Sequence, residues 1–420
     1  MNRRQQTFTA ILVVTVAGTL TCAPAVRATN GYFSDGYGTI SKGLAGAGVA
    51  FSQDALVAAL NPAGLAFIDS RVDVGVDLFN PVRGYSVTGL PSGQPGTFPL
   101  ADGSVESKRN YFLVPDVGAS WTQGNNAAIG FALYGNGGMN TTYPANAGGD
   151  GTYHGGQAGV NLDQLFFTPT YAHKIGPKAA LGVSAILAYQ DFEARGLGAF
   201  APFVADGNAN NLSGRGLDKA FGYGARLGLI GEIRRNLNAG VAYQTRISMG
   251  RFAKYSDLFA QGGSFDIPAS VTGGLAWTVD RRSTVLFDVQ NIFYSDVPAV
   301  GNPFSNLLNG IAGKNSSQLL GGQNGPGFGW NDMTAFKLGY QFQANSTLAL
   351  RVGASYGQQP IPSSGVLFNI LAPGVEQVHL SAGLTKKVSS KGEVNLAVTY
   401  APGQTVIGPN PMDPTQTISL

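Results

Sequence analysis

The stretch "FKLGYQFQANSTLALRVGASY", from Phe336 to Tyr356, alternates large apolar residues with small or polar ones and is interrupted once, at residues 344–346. Successive side chains of a β-strand point to opposite faces, so this period of two predicts two antiparallel strands joined by a short turn. One face of each predicted strand is strongly apolar. The other face carries mostly Gly, Ala, Ser and Gln, with a few charged residues.

The same alternation recurs along the chain, for example in residues 71–78, 285–290 and 394–400. In a soluble β-sandwich the polar face would meet water and would carry many charges. Charged residues make up only 12% of the chain, which is about half the usual share. The sequence therefore fits a barrel, with its apolar face turned to lipid and small polar residues in its lumen, better than it fits a soluble sandwich. The pattern predicts an all-β transmembrane barrel, with a secreted β-sandwich or propeller as the alternative.

The connections between the predicted strands differ in length in a regular order. Six are short, at residues 124–126, 176–178, 234–237, 280–283, 344–346 and 389–392. Seven are long, at about 88–110, 144–162, 196–220, 257–268, 297–331, 357–375 and 401–413. Long and short alternate, as they do in outer-membrane barrels, and thirteen connections predict an antiparallel barrel of fourteen strands. The last strand, at residues 414–420, is short for a membrane span or truncated.

The amino terminus resembles a secretion signal. Arg3 and Arg4 precede a mostly apolar stretch at residues 8–20, and Val26-Arg27-Ala28 fits a cleavage site. We therefore expect a signal peptide at 1–28, an amino-terminal segment at 29–68 and a barrel at 69–420. The signal would take with it the only cysteine, so neither a disulfide nor a cysteine metal site is expected. It also removes three basic residues and leaves 24 basic against 24 acidic ones, which gives no indication of nucleic-acid binding.

Residues 29–68 are rich in Gly and Ala and do not follow the strand period. A barrel of fourteen strands has a lumen that conducts unless it is filled. Small residues such as those at 43–48 let a backbone pack closely against a wall. The segment is therefore predicted to be a plug inside the lumen.

Several stretches resemble one known family. "GYGTISKGLAGAGVAFSQDALVAALNPAGLAF" at residues 36–67 is similar to the amino-terminal hatch of the FadL/TodX transporters of hydrophobic compounds, with Asn61, Pro62 and Ala63 as its Asn-Pro-Ala motif. "YGNGGMNTTYP" (134–144), "WNDMTAFKLGY" (330–340) and "LRVGASYGQQPIP" (350–362) also resemble that family. The resemblance spans nearly the whole predicted mature chain and implies passive uptake across the outer membrane.

The resemblance further implies that a ligand is captured among the outer loops and leaves sideways where the third strand kinks. That strand is predicted at about residues 127–143 and contains the cluster Gly135, Asn136, Gly137 and Gly138. Glycine inside a strand weakens the ladder and permits a bulge. The cluster is therefore the predicted lateral gate, unless it is only the point where the strand enters an outer loop.

A fatty acid would need one or two cations for its carboxylate. The alternation places Arg226, Arg246, Lys337 and Arg351 toward the lumen, where each is either a ligand for that carboxylate or part of a lumen salt bridge. Apolar residues in the long loops are candidates for an outer groove, unless the loops pack on one another. These candidates are Leu197, Phe200, Phe203, Leu258, Phe259, Phe265, Phe304, Leu307 and Leu308.

No catalytic, metal or cofactor site is predicted. The three histidines are far apart and lack metal spacing, although a phospholipase that pairs His379 with a nearby Ser stays open. We expect a monomeric outer-membrane protein. Its expected partners are lipid, lipopolysaccharide, the barrel assembly machinery and a hydrophobic ligand. Long-chain fatty acids are the first substrate expected and aromatic hydrocarbons the second. A general porin and a structural or adhesin barrel are the alternatives of another class.

Overall fold

A computed structural model describes residues 29–420, so the predicted signal peptide lies outside the described residues. Thirteen antiparallel strands form the wall, and each is hydrogen-bonded to the next along the chain. They are β1 (Arg71–Phe79), β2 (Phe112–Gln123), β3 (Ala127–Asn140), β4 (Gly159–Lys174), β5 (Ala179–Arg195), β6 (Asp218–Arg234), β7 (Leu237–Gln244), β8 (Ser270–Thr278), β9 (Ser283–Ile292), β10 (Met333–Asn345), β11 (Leu348–Gly357), β12 (Val378–Lys387) and β13 (Glu393–Tyr400).

The predicted alternation of short and long connections is confirmed. The β2–β3, β4–β5, β6–β7, β8–β9, β10–β11 and β12–β13 connections are tight turns, and the intervening ones are long. Because neighbouring strands are antiparallel, all the tight turns lie at one end of the wall and all the long loops at the other. We call these the turn end and the loop end.

The period of two is also confirmed. Leu338 and Val352 project outward and are 53% and 54% exposed. Their neighbours Lys337 and Arg351 point inward and are buried. The same order on the other strands produces an outer band of apolar side chains, as expected of a surface in contact with lipid.

The two edge strands of the wall, β1 and β13, approach each other at one corner. The Arg71 guanidinium bonds Asp73 of its own strand at 2.6 Å and Glu393 of β13 at 2.7 Å. Within residues 29–420, β1 and β13 form no backbone ladder. The sheet curls around the amino-terminal segment, and an ion pair joins its first and last strands.

The fourteenth wall strand predicted for residues 414–420 is not found among the described residues. Thr417–Ser419 instead pairs with Gly84–Thr88 of the first long loop, in a four-stranded sheet with Gly103–Glu106 and Ile407–Pro409. Ile418 is fully buried there. The side chain of Gln416 accepts a hydrogen bond from the Leu100 amide at 2.8 Å. Packing on the first loop, rather than a membrane span, determines the position of this segment.

The amino-terminal segment, residues 29–68, packs against the inner face of the wall. It contains two short strands (Thr29–Asn30 and Phe33–Ser34), one helix (Thr39–Lys42) and two 3-10 helices (Ala55–Ala59 and Pro62–Phe67). Inward-facing carboxylates hold its backbone. Asp288 of β9 accepts from the Gly48 and Val49 amides at 2.7 and 2.9 Å, and Asp73 accepts from the Ala55 amide at 2.9 Å.

The long loops contain the remaining short elements. These are Ser248–Met249 as a strand, Ala260–Gly263, Pro298–Gly301, Ser305–Gly313 and Val366–Asn369 as α-helices, and Gly198–Phe203, Ala209–Asn211, Ala253–Tyr255, Tyr294–Asp296, Ser316–Gln318 and Ser363–Gly365 as 3-10 helices. Among residues 29–420, no helix has the length and apolar character needed to cross a bilayer. The loop elements bury a continuous apolar cluster at the loop end.

Candidate functional site

The third wall strand has a break in its pairing at the glycine cluster. Its register against β4 shifts between Gly135 and Gly137, so Asn136 is an extra, bulged residue. Pairing with β2 on the other side stops at Tyr134, opposite Asp116. Residues 112–115 of β2 and 135–140 of β3 are therefore not bonded to each other. We call this interval the β2–β3 gap.

A chain of side-chain amides supports the bulge from the lumen side. Asn136 is fully buried; its Oδ1 accepts from the Tyr37 hydroxyl at 2.8 Å and its amide donates to Gln164 at 2.9 Å. Gln164 donates to Gln190 at 3.2 Å, and Gln190 donates to the Phe265 carbonyl at 2.8 Å. Because buried polar groups are costly unless they are paired, this chain favours one geometry of the bulge. Sequence reasoning missed Gln164 and Gln190, although amides at inward positions on adjacent strands could have indicated them.

The amino-terminal segment covers the free edge of β3. Phe33 pairs with Gly137, and the Gly138 amide donates to the Tyr32 carbonyl at 3.1 Å. A Cβ on Gly137 would lie only 1.7 Å from that Tyr32 oxygen, so no larger residue fits here without moving the segment. Glycine at this point permits the close contact between the two backbones.

A cavity of about 440 Å³ occupies the β2–β3 gap. Ser34 and Lys42 of the amino-terminal segment line it from the lumen. Leu113, which is 72% exposed on the outer face of β2, lines it from the other side. The cavity therefore reaches both faces of the wall. Its charged lining includes Lys42 in an ion pair with Asp77, and Asp163.

A second cavity, of about 40 Å³, lies beneath the long loops and has an apolar lining. Four of the predicted groove residues line it: Leu197, Phe200, Leu258 and Phe259. Phe328 and Phe368 complete much of its aromatic surface, and no charged residue contributes to the lining. We call it the loop cavity. Its lining is apolar, as in sites that bind uncharged hydrophobic molecules, but its volume is below the roughly 300–1,000 Å³ of such sites, so a ligand of that size requires the loops to separate.

The other predicted groove residues pack around this cavity without lining it. Phe265 contacts the Phe259 ring at 4.9 Å, and Phe304 contacts Phe368 edge to face at 4.8 Å. Phe203 lies 6.5 Å from the Phe200 ring. Leu307 is fully buried and Leu308 is partly buried, both on the helix Ser305–Gly313.

The Asn-Pro-Ala motif binds the amino-terminal segment to the wall. The Asn61 amide donates to the carbonyls of Val49, at 2.8 Å, and of Leu229 on β6, at 3.1 Å. Its Oδ1 accepts from the Ala63 amide and so caps the 3-10 helix that starts at Pro62. A Cβ on Gly228 would lie 1.9 Å from that oxygen. The motif is therefore a tightly packed attachment of the amino-terminal segment to the wall.

The four candidate carboxylate ligands are not brought together. Arg226 and Lys337 line a small cavity of about 30 Å³ between the amino-terminal segment and the wall. Arg226 donates to the Tyr134 hydroxyl at 2.9 Å and to Gln244 at 2.5 Å. Lys337 donates to the Asp35 carbonyl at 2.8 Å. Neither residue lines the loop cavity.

The other two candidates lie elsewhere. Arg351 points into the lumen but bonds Gln341, Thr385 and Gln53 in a separate cavity of about 260 Å³. The prediction that Arg246 faces the lumen is wrong. β7 ends at Gln244, two residues before Arg246, so the alternation does not extend to Arg246. The Arg246 guanidinium instead forms an ion pair with Asp266 at 2.8 Å, on an exposed part of the loop end.

Two acids of the amino-terminal segment are buried away from water. Desolvation raises the pKa of Asp35 to about 6, against a lowering by nearby Lys42 and Lys337. Desolvation and the neighbouring Asp73 raise the pKa of Asp54 to about 7, against a lowering by Arg71. Both carboxyls therefore resist ionisation where the segment meets the wall.

The phospholipase alternative left open a serine near His379, and the structure places the Ser355 hydroxyl 3.0 Å from Nδ1 of that histidine. Nε2 of His379 lies 3.1 Å from the Thr29 nitrogen. Both ring nitrogens are thus engaged inside the protein, and the imidazole is fully buried. Among residues 29–420, no group of three or more His, Cys, Asp or Glu side chains could hold a metal ion.

Comparisons with solved structures agree with the architecture. The P. putida toluene transporter TodX is 18% identical to this chain, with a TM-score of 0.64. The match covers 92% of this chain and 95% of the TodX chain. The Ralstonia pickettii toluene transporter TbuX is also 18% identical, with 92% and 96% covered and a TM-score of 0.59. A Pseudomonas aeruginosa FadL homologue is 14% identical, with 93% and 96% covered and a TM-score of 0.63. At these identities the likeness concerns the fold.

A search of curated protein sequences finds no match. The sequence profile described as "Outer membrane protein transport protein (OMPP1/FadL/TodX)" matches residues 21–410. That range covers nearly the whole chain, including the amino-terminal segment, the β2–β3 gap and the long loops described above. The chain therefore belongs to the OMPP1/FadL/TodX family of outer-membrane transport proteins.

Proposed function

We propose that this protein takes up uncharged hydrophobic compounds by capture in the loop cavity and lateral release through the β2–β3 gap. Family membership supports transport of hydrophobic molecules in general. The observation that carries the lateral route is the loss of β2–β3 pairing beyond Tyr134, at a cavity that is lined from both faces of the wall. A hydrophobic molecule leaving there would enter lipid without crossing water.

The lining of the two cavities supports the choice of substrate. The loop cavity has no charged lining residue, and the gap cavity has two acids, Asp77 and Asp163, against one base, Lys42. A carboxylate would lose hydration in both places, and the one cationic side chain in the two linings, Lys42, is already paired with Asp77. Aromatic hydrocarbons therefore fit better than long-chain fatty acids, which are the second candidate class.

Residues 29–68 are proposed to act as a fixed hatch. The hydrogen bonds of Asn61, Asp73 and Asp288 link the segment to strands on several sides of the lumen. A filled lumen argues against a general porin for polar solutes. We further propose that a signal peptide directs the chain toward the outer membrane and that the barrel assembly machinery inserts it there as a monomer. Lipid and lipopolysaccharide would then surround the barrel.

Uptake by intact cells tests the proposal. A Gram-negative strain without its own hydrophobic-compound transporters would carry the gene or an empty vector, and labelled toluene and labelled oleate would be followed separately. We expect faster toluene entry with the gene and little change for oleate. Faster oleate entry alone would favour the fatty-acid class. Equal entry with and without the gene for both compounds would contradict the transport function.

Liposome swelling tests the porin alternative. Purified protein in vesicles should not admit small sugars because the hatch fills the lumen. Rapid swelling would contradict a fixed hatch and favour a water-filled pore.

A further inference from the structure

The first described residue of the chain lies against a histidine of the wall. The Thr29 nitrogen is 3.1 Å from Nε2 of His379, on β12. A backbone nitrogen of this kind donates, so Nε2 is the acceptor and carries no proton. Nδ1 of the neutral ring then carries the proton and donates to the Ser355 hydroxyl at 3.0 Å, on β11. The two bonds fix both the tautomer and the ring orientation.

This site is built into the protein interior. His379 is fully buried and Ser355 is 4% exposed. Thr29 also lines a cavity of about 40 Å³ together with Arg83 and Glu376, two side chains of opposite charge. Thr29 is partly buried and also lines the gap cavity, so its surroundings are polar and close to the β2–β3 gap. A small charged group can be accommodated there, because acceptors and a polar cavity replace part of its hydration.

The sequence places a processing site directly before this residue. Val26-Arg27-Ala28 has the small residues at first and third position that signal cleavage requires. Cleavage after Ala28 would convert the Thr29 amide into a free amino group. A primary amine has more hydrogens to donate than an amide, and its bond to a buried acceptor is charge-assisted when it is protonated.

We propose that His379 is a binding site for the α-amino group of the mature chain and that the mature chain begins at Thr29. The bond anchors the strand Thr29–Asn30, which pairs with Phe33–Ser34 and through it with Gly137 of β3. His379 is therefore a positioning residue for the segment that covers the β2–β3 gap. The proposal does not depend on which compound the protein carries.

Selective acetylation of amines tests it. Protein extracted from outer membranes is treated near neutral pH with an N-hydroxysuccinimide acetate, once folded and once unfolded by heat in SDS. Mass spectrometry then follows the amino-terminal tryptic peptide, which ends at Lys42 or, where that lysine is itself acetylated, at Arg71. We expect this peptide to begin at Thr29 and its α-amine to react at least about ten-fold more slowly in the folded protein, as for a lost hydrogen bond to a charged group. A different first residue, or equal rates, would overturn the proposal.

Three variants show which residue gives the protection. His379→Phe should remove it, and His379→Gln, which keeps an acceptor, should restore part of it. His173→Phe makes the same chemical change at an exposed residue of β4 and should leave the protection intact. Protection that is unchanged in His379→Phe would contradict the role of the imidazole. Heat-modifiable migration on SDS gels shows whether each variant is folded. If His379→Phe does not fold, His379→Gln decides, because it should lose part of the protection while His173→Phe loses none.

Discussion

Phe33 pairs with Gly137 at the point where β3 has lost β2 as its neighbour. The amino-terminal segment thus satisfies, from inside the lumen, part of an edge that the adjacent wall strand leaves free. Unpaired backbone groups in a bilayer are costly, so an opening in a barrel wall needs a substitute partner of this kind. This pairing explains how the wall can have a gap and still be stable.

Replacing Asn61 with alanine should loosen the hatch. The change removes the bonds to Val49 and Leu229 and the cap on the Ala63 amide, at a cost of about 2 kcal/mol. Asn61→Ala should therefore unfold at a lower temperature in detergent and should let sugars swell vesicles. Asn208→Ala removes a similar cap from an exposed loop helix and serves as the control. Equal melting temperatures and no swelling would show that Asn61 does not fasten the hatch.

The buried Asp54 carboxyl should make stability depend on pH. Burial raises its pKa from 3.8 to about 7, so the folded protein binds this proton more tightly than the unfolded chain does. Stability from this group is present below the unfolded pKa and falls as the pH rises through the folded one. Melting temperatures should therefore decrease between about pH 4 and pH 7.

Asp54→Asn keeps the shape of the protonated carboxyl and should flatten that decrease. The exposed Asp102→Asn, in the first long loop, should not. The measurement is thermal unfolding by circular dichroism at pH values from 4 to 8. A slope that persists unchanged in Asp54→Asn would assign the pH dependence to other groups.

A charge placed in the loop cavity should impair capture. Leu258 lines this cavity, where no cation is available to pair with a carboxylate. Leu258→Glu should weaken binding of an uncharged aromatic ligand by at least about ten-fold, because the ligand would have to desolvate the carboxylate. Leu90→Glu introduces the same charge at a residue that is 79% exposed. Titration of purified protein with toluene measures the effect, and equal affinities in the two variants would exclude the loop cavity as the capture site.

Much of the wall could be predicted from the sequence, because the period of two and the turn residues are local signals. The pairs Phe336–Tyr356 and Leu350–Phe342 lie in register as the alternation requires. The glycine cluster in β3 likewise indicated a bulge, since glycine within a strand has few other structural roles.

The errors arise where tertiary contacts override a local pattern. Arg246 was placed in the lumen by extending the alternation past the end of β7, but the pairing with β6 shifts by one residue between Gln244 and Ser248, and Arg246 contacts Asp266 at the loop end. The last residues were expected to form a wall strand, yet Ile418 packs into the loop end. Neither contact leaves a trace in the neighbouring sequence.

The amide chain from Asn136 to Gln190 could not be predicted for a related reason. Each member lies on a different strand, and their distances depend on the register of β3, β4 and β5. Register follows from the bulge at Asn136, which a sequence pattern locates only approximately.

The most direct test of lateral release fills the β2–β3 gap and leaves the loop cavity unchanged. A Cβ on Gly135 would point across the gap to within 2.6 Å of Cγ1 of Val114, so Gly135→Val should obstruct the passage. Gly273→Val, on β8, adds the same side chain where no atom lies within 4 Å and serves as the control. The measurement is the initial rate of labelled toluene uptake by cells with equal amounts of assembled protein. We expect the uptake rate of Gly135→Val to be near that of the empty vector and the rate of Gly273→Val to be near that of the parent. An uptake rate of Gly135→Val equal to that of the parent would contradict release through the gap.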